Sequence, residues 1–281
     1  MPFEIVAIVL VAALAHAAWN ALVKGDDDRL VTLGAVNAAR FLLCIPVVLA
    51  LPLPDRASWP YLVASAILHI GYYTFLLSAY RFGDLSKVYP LARGLSPLIV
   101  AAGAFAFAGE RLGPVALAGV AIACAGIASL SAGDAAMRAD EHRRGVLFAA
   151  GTALFIAGYT VTDGMGVRLS GHAVSYVAWL SILNGLPMLL AAAVLRRAAL
   201  ARRLAARAWK SAAGGALQLT AYGLVVWALS IAPMAAVSAL RETSVLFAAI
   251  IGVKLLGEPL GVRRIAAAAL VAAGMAMIEW G

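Results

Sequence analysis

The chain alternates between long apolar runs and short polar breaks, and few folds accept such a pattern. Ten runs of roughly 20 residues follow one another along the sequence. An α-helix of that length crosses about 30 Å of hydrocarbon at about 1.5 Å per residue. The pattern predicts an all-α integral membrane protein with ten transmembrane helices. The runs cover residues 3–23, 30–51, 59–80, 86–108, 113–131, 145–166, 173–195, 211–231, 235–256 and 263–280.

The composition excludes the soluble classes of protein. Hydrophobic residues make up 64% of the 281 residues and charged residues 13%, whereas soluble domains carry about 25% charged residues. Transmembrane strands would alternate apolar and polar positions over about ten residues, and the runs here are continuous. Soluble enzymes, disulfide-bonded secreted domains and nucleic-acid-binding domains are therefore excluded, and no nucleic acid is expected as a partner.

The second half of the chain repeats the first. The segment Gly109–Gly113 (GERLG) recurs 148 residues later as Gly257–Gly261 (GEPLG), and the same offset pairs Gly126 with Gly274. A repeat of this length indicates two copies of one structural unit. The predicted organisation is a first five-helix repeat at 1–131, a connecting loop at 132–144 and a second five-helix repeat at 145–281.

Five spans per repeat is an odd number, so the second copy is predicted to enter the membrane upside down relative to the first. Inverted repeats of this kind are typical of transporters, because two half-structures related by an in-plane pseudo-two-fold axis can exchange inward-open and outward-open shapes. The repeat therefore predicts alternating access around a site near the middle of the membrane. Ten spans from an internal repeat also favour a functional monomer.

Three segments of the chain resemble a known family. The Gly-Glu-x-Leu-Gly pair closes each half, and His16–Asn20 (HAAWN) and Gly83–Gly94 (GDLSKVYPLARG) resemble one bacterial subgroup. Together they are similar to EamA-type transporters of the drug/metabolite transporter superfamily, with bacterial amino-acid and metabolite exporters as the nearest type. The resemblance implies ten helices around a central cavity, export of amino acids or similar metabolites, and a multi-pass location in the bacterial inner membrane.

The charge of the loops predicts an orientation in the membrane. Sixteen Lys and Arg residues lie in or next to the odd-numbered connections between runs, and three lie in the even-numbered ones. Because basic loops stay in the cytoplasm, this count places both termini outside the cytoplasm. The family resemblance implies the opposite, with both termini in the cytoplasm.

Four charged residues lie well inside apolar runs, where charge is costly and by default marks a functional position. They are Arg40, Arg93, Arg241 and Glu242. Arg93 is a candidate for binding substrate, and the alternative is a structural ion pair. Arg241 and Glu242 are adjacent, so on a continuous helix they face different directions and are not expected to pair with each other. Glu242 is a candidate for proton coupling, with a structural ion pair as the favoured alternative.

A second group of candidates consists of aromatic and polar side chains in the middle of the runs. A phenol or indole in lipid must satisfy its O–H or N–H, so such residues tend to face the interior of a helical bundle. A cavity lined by them suits an aromatic or amphipathic solute, and ordinary helix packing is the alternative for each residue. With Arg93, the predicted substrate-binding residues are Trp19, Asn20, His69, Tyr72, Tyr73, Tyr80, Tyr89, Tyr159, Trp179 and Tyr222.

The sequence contains no motif for ATP, a metal or another cofactor. A Gly-x4-Gly-Lys-Ser/Thr loop is absent, and the four histidines are scattered, so no cofactor or metal site is expected. The segment Asp26–Asp28 admits a remote reading as the Mg²⁺-diphosphate site of a membrane enzyme acting on a lipid or prenyl substrate. A turn that caps a helix explains it better. The chain is therefore not expected to be an enzyme.

The leading prediction is a secondary active transporter that exports small metabolites, most of all amino acids with aromatic or apolar side chains. An ion gradient, of protons or another ion, would drive it. The nearest alternative is a multidrug exporter of lipophilic cations. Exporters of that kind rely on an intramembrane Glu early in the chain, and the first run here carries His16 and Asn20 instead.

Overall fold

The structure is a computed structural model that describes residues 1–24, 28–82, 85–130, 139–256 and 262–280. These residues form helices joined by short connections, and no strand occurs among them. The helices are α1 (Phe3–Lys24), α2 (Arg29–Ala50), α3 (Trp59–Phe82), α4 (Leu85–Ala108), α5 (Pro114–Ser129), α6 (Ala139–Arg168), α7 (Ala173–Leu195), α8 (Arg197–Ala206), α9 (Ala208–Ile231), α10 (Met234–Arg241), α11 (Ser244–Leu256) and α12 (Val262–Trp280).

Six of these helices are each long and apolar enough to cross a bilayer, namely α1, α2, α4, α6, α7 and α9. Helix α5 and residues Ile265–Trp280 of α12 are apolar but shorter. Helix α8 is an additional short helix within the basic connection that follows α7. The all-helical class and the multi-pass character predicted from the apolar runs agree with this arrangement, and the count of ten spans stays a prediction.

The ninth apolar run is divided into two helices, α10 and α11, where one continuous helix was predicted. The backbone N–H of Glu242 donates to the carbonyl of Ala239 at 3.1 Å, and that of Thr243 donates to Leu240 at 3.1 Å. Bonds to the third preceding residue tighten the chain into a 3₁₀-like turn. Glu242, Thr243 and Ser244 are all buried, so this irregular backbone is enclosed by protein, as the hydrocarbon core of a membrane requires.

The most extensive helix contacts among the described residues include matching pairs. Helix α2 packs against α7, and α5 packs against α12. The contact of α3 with α6 matches that of α1 with α9, and the contact of α4 with α6 matches those of α1 with α10 and α11. The matches follow one correspondence between the helices of the two halves. It pairs α1 with α6, α2 with α7, α3 with α9, α4 with the α10–α11 pair, and α5 with α12.

Helices α5 and α12 cross at backbone distance because glycines meet there. A Cβ atom placed on Gly119 would lie 2.6 Å from the carbonyl oxygen of Gly274, and one placed on Gly274 would lie 2.5 Å from that of Gly119. A Cβ atom on Gly126 would lie 2.8 Å from the Cβ of Leu270. The hydrophobic effect does not drive helices together within a membrane. Close van der Waals packing between small residues stabilises such a crossing instead.

Gly274→Ala is therefore expected to destabilise the protein by about 1–3 kcal/mol, because the added methyl group must push two backbones apart. Thermal unfolding in detergent can be followed with a thiol-reactive dye, since Cys44 and Cys124 are both free and buried. Gly158→Ala in α6 is the matched control, because its new Cβ would meet only Leu68 at 3.5 Å, an ordinary contact. Equal midpoints for the two variants would contradict the crossing described above.

Candidate functional site

A buried group of three charges joins α4 to the turn between α10 and α11. The Glu242 carboxylate, which is fully buried, pairs with Nε of Arg93 through Oε2. Its Oε1 accepts from Nη2 of Arg241 at 3.2 Å. Arg93 also donates from Nη2 to the hydroxyl of Ser244 at 3.2 Å. The two arginines thus share one carboxylate inside the protein.

The sequence-based expectation that Arg241 and Glu242 do not pair with each other is wrong. That expectation assumed a continuous helix, in which neighbouring side chains diverge by about a quarter of a turn. Helix α10 ends at Arg241, and the turn that follows brings the two side chains together. For Arg93, the geometry agrees with the alternative that the sequence left open, a structural ion pair.

Four aromatic rings from α3, α6 and α9 meet in the interior. The imidazole of His69 stacks on the ring of Tyr159, with centroids 4.1 Å apart. Tyr72 and Tyr222 lie edge-on to Tyr159 at 5.8 and 6.0 Å, and Tyr222 lies 5.9 Å from His69. We call these four residues the aromatic cluster; Tyr73 adjoins it through Tyr72 at 5.1 Å.

Hydrogen bonds fix the orientation of His69 within the aromatic cluster. Its Nδ1 lies 2.9 Å from the carbonyl oxygen of Ser65, and its Nε2 lies 3.5 Å from Nδ2 of Asn184. A neutral ring with its proton on Nδ1 satisfies both contacts, since Nδ1 then donates to the carbonyl and Nε2 accepts from the amide. Asn184 therefore connects the aromatic cluster to helix α7.

Asp163 is a buried carboxylate that the sequence reasoning missed. It is fully buried, and Tyr222 donates to its Oδ2 at 2.5 Å while Tyr176 donates to Oδ1 at 3.5 Å. The hydroxyl of Ser65 in α3 bonds to the same group, and Arg241 of α10 acts on it at longer range. Among the described residues it has no salt-bridge partner, so tyrosine and serine hydroxyls hold it.

The reason for the omission is the assumed end of the sixth span. Only charges well inside an apolar run are candidates by the rule used for the sequence, and the sixth run ends at residue 166, close to Asp163. Helix α6 continues to Arg168, which leaves Asp163 inside the helix. The available signal was a carboxylate inside an apolar run, preceded by Thr160 and Thr162 and followed by Gly164 and Gly166.

Arg40 lies on α2 and is 5% exposed. Its Nη2 would be 2.7 Å from a Cβ placed on Gly185 of α7, so the guanidinium lies against bare backbone there. Helix α9 also passes close to α2, since a Cβ on Gly215 would lie 2.9 Å from the backbone nitrogen of Arg40. Glycines on both neighbouring helices thus make room around this side chain.

The remaining predicted site residues lie in several places. Trp19 donates from Nε1 to Nδ1 of His16 at 3.4 Å, and Asn20 donates from Nδ2 to the His16 carbonyl at 2.8 Å. Trp179 packs against Trp59 with centroids 5.3 Å apart. Tyr80 and Tyr89 lie outside the residues whose side chains the structure describes.

The glutamate of the first Gly-Glu-x-Leu-Gly segment holds the joint between α9 and α10. Glu110 pairs with Arg168 at 2.6 Å and accepts from the backbone N–H of Met234, the first residue of α10, at 2.8 Å. Arg168 donates to the carbonyls of Leu229 and Ala232 at 2.9 and 2.8 Å. A carboxylate at a helix N-terminus and a cation at a helix C-terminus are each favourable. Glu258, in the second copy, lies outside the described residues.

Two cavities lie away from the aromatic cluster. One of about 330 Å³ lies beside Glu110 and Arg168. The other, of about 460 Å³, is an apolar groove between α1, α7 and α9 that includes Val177, Leu219 and Trp227.

Comparison with known proteins identifies the family. The model of the EamA-like transporter family matches the chain twice, over residues 4–132 and 143–280. A crystal structure of another protein shares the fold with a TM-score of 0.77, over 98% of each chain at 18% identity. No curated protein matches the sequence. Because the family match covers almost the whole chain, the chain belongs to the EamA-like transporter family and is a membrane transporter of the drug/metabolite transporter superfamily.

Proposed function

We propose that this chain is a secondary active transporter that exports amino acids with aromatic or apolar side chains. The observation that carries the proposal is the aromatic cluster, which combines residues of both halves: His69 and Tyr72 from the first, Tyr159 and Tyr222 from the second. Stacked and edge-on rings suit a planar or apolar solute. Their polar tips and the nearby Asn184 suit its charged end.

Alternating access is the mechanism that we propose. The matching helix contacts of the two halves support it, because an inverted pair of half-structures can interchange their arrangements around a central site. The break between α10 and α11 supports it as well, since discontinuous helices are common at transporter binding sites. Pro90 and Pro97 interrupt the hydrogen bonding of α4 and serve as hinges in this mechanism.

We further propose that Asp163 carries the proton that couples transport to a gradient. Glu242, the carboxylate favoured by position in the sequence, is held between two arginines. Asp163 is bonded to hydroxyl groups of Tyr176 and Tyr222, which lie on α7 and α9. Gain or loss of a proton there changes the net charge of the site, and movement of α7 against α9 changes the bonds that favour one state. Intramembrane carboxylates of this kind serve proton relays in pumps and transporters.

A multidrug exporter of lipophilic cations is the second candidate function. Two observations favour it: aromatic faces attract cations, and Asp163 supplies a negative charge bonded to the aromatic cluster through Tyr222. The two functions differ in the charge that their substrates carry, so one assay separates them.

Uptake by the purified protein in liposomes tests both functions. We expect labelled phenylalanine to be taken up faster than threonine, and a quaternary ammonium dye not to compete. Tyr159→Leu should raise the KM for phenylalanine by about two- to tenfold, because an aromatic contact of the substrate is worth about 0.5–1.5 kcal/mol. Trp209→Leu is the control, since Trp209 is an aromatic residue 66% exposed on the surface. Dye uptake without amino-acid uptake would contradict amino-acid export and support a multidrug exporter of lipophilic cations.

A further inference from the structure

Arg40 differs from the other two buried arginines of the membrane interior. Arg93 and Arg241 both contact the Glu242 carboxylate. Within the part of the chain that the structure describes, Arg40 forms no ion pair, and the ionisable groups that act on its charge are Tyr73, Cys44 and Tyr222 rather than a carboxylate. A buried cation without a counter-charge is costly, so an anion from outside the chain is the physical complement of this position.

The atoms of Arg40 that lack a partner lie on one edge of its guanidinium group. Both Nε and Nη2 are buried without a hydrogen-bond acceptor among the described residues. The N–H bonds of these two atoms are parallel and about as far apart as the two oxygens of a carboxylate. This edge therefore matches a carboxylate in bidentate geometry.

Buried amide oxygens without donors lie on the three helices that meet at Arg40. They belong to Asn37 on α2, Asn184 on α7 and Gln218 on α9, and these residues are 1%, 5% and 7% exposed. Oδ1 of Asn37 and Nη2 of Arg40 lie 2.9 and 2.7 Å from one point, the position of a Cβ built on Gly185. Buried donors and acceptors that lack partners point to a ligand with both kinds of group, as an amino acid has.

Asn184 and its neighbour Gly185 connect Arg40 to the aromatic cluster, whose Tyr222 also acts on the charge of Arg40. Because His69 Nδ1 donates to Ser65, its Nε2 must accept, and Asn184 must therefore present its nitrogen to the ring. The oxygen of Asn184 is then the atom left for a ligand. Asn184 is next to Gly185, on which the Arg40 guanidinium lies, so one residue connects the two parts.

We propose that Arg40 binds the carboxylate of the transported solute through its Nε–Nη2 edge. The apolar part of the solute then lies toward His69 and the aromatic cluster. The substrate class is an organic acid with an aromatic or apolar body, an α-amino acid above all. This inference rests on the proposed function and assigns the carboxylate to Arg40 instead of Arg93, which Glu242 holds.

A binding experiment with matched ligands tests the assignment. Purified protein is unfolded thermally in chloride-free buffer with phenylalanine, with phenylalaninamide, which lacks the carboxylate, and with 3-phenylpropionate, which lacks the ammonium group. We expect phenylalanine and 3-phenylpropionate to raise the unfolding midpoint of the wild type, and phenylalaninamide not to. In Arg40→Gln the Kd for phenylalanine should rise by about tenfold or more, since charged hydrogen bonds are lost. Arg40→Lys keeps the charge without the paired donors, so its Kd for phenylalanine should lie between those of the wild type and Arg40→Gln.

The stability of the ligand-free variants separates binding from structure. Arg40→Gln removes a buried charge without an ion-pair partner, so its midpoint should equal or exceed that of the wild type. Arg93→Gln leaves Glu242 with one arginine fewer, so its midpoint should fall. A fall in Arg40→Gln as large as that in Arg93→Gln would overturn the proposal, because it would give Arg40 a structural role. Stabilisation of the wild type by phenylalaninamide equal to that by phenylalanine would also overturn it.

Failure of this inference differs from failure of the proposed function. If the wild type transports phenylalanine and Arg40→Gln transports it with unchanged KM, the function stands and the Arg40 assignment is wrong. If phenylalanine is neither bound nor transported, amino-acid export is wrong, and 3-phenylpropionate alone decides the Arg40 site. Binding of that acid that depends on Arg40 would support the site, and binding independent of Arg40 would reject it.

Discussion

Glu242→Gln is expected to destabilise the protein by about 3–5 kcal/mol, because it breaks a buried ion group by removing the carboxylate that both arginines contact. Arg93 and Arg241 would then remain buried near each other without the carboxylate that they share. The loss should affect the docking of α4 against the turn between α10 and α11, since this ion group joins them. Unfolding at a lower temperature, or failure to purify as a single species, is the expected result.

The thiol-reactive dye that reports exposure of Cys44 and Cys124 gives the measurement. Glu4→Gln is the control, because Glu4 lies in the first turn of α1 and is exposed. The double variant Arg93→Gln with Glu242→Gln should be less destabilised than the sum of the two single variants, as contacting residues are coupled. An unchanged midpoint in Glu242→Gln would show that the arginines do not depend on this carboxylate.

The class of fold followed from the sequence because hydrocarbon imposes one rule on every segment. Each apolar run must satisfy its own backbone, so a run of about 20 residues is a helix wherever it lies. The two copies of Gly-Glu-x-Leu-Gly indicated the division into halves, and the family match also falls on two stretches of the chain. The break at Glu242 was not predictable from apolar character, since both α10 and α11 are apolar and no Gly or Pro separates them.

The candidate site was predictable only in part. The rule that charge inside a span is functional identified Arg40 and Arg93 equally, and it could not say which of them had a partner. That distinction depends on where α10 and α11 bring Glu242. Asn184 and Gln218 were missed because a single amide in an apolar run costs less than a charge, and so produces a weaker signal.

The second large effect concerns Asp163. Asp163→Asn is expected to abolish transport driven by a pH gradient while leaving exchange of substrate between the two sides intact. Asparagine keeps the shape of the side chain and an oxygen that accepts from Tyr222, but it cannot gain or lose a proton. Under export by proton exchange, solute moves against the protons, so liposomes with an acidic lumen should accumulate phenylalanine.

The size of the effect follows from the gradient. One pH unit is worth about 1.4 kcal/mol per proton, so one-for-one exchange supports up to about tenfold accumulation. The wild type should reach several-fold accumulation, and Asp163→Asn should stop at the outside concentration.

Asp55→Asn is the control, since Asp55 is exposed and lies before the first turn of α3. Equal accumulation by Asp163→Asn and the wild type would remove Asp163 from the coupling step, and undiminished exchange in both would show that each protein is folded. Tyr222→Phe then provides the finer test, because it removes the hydroxyl bond to Asp163 but keeps the ring, and it should alter the pH dependence of accumulation without altering which solutes compete.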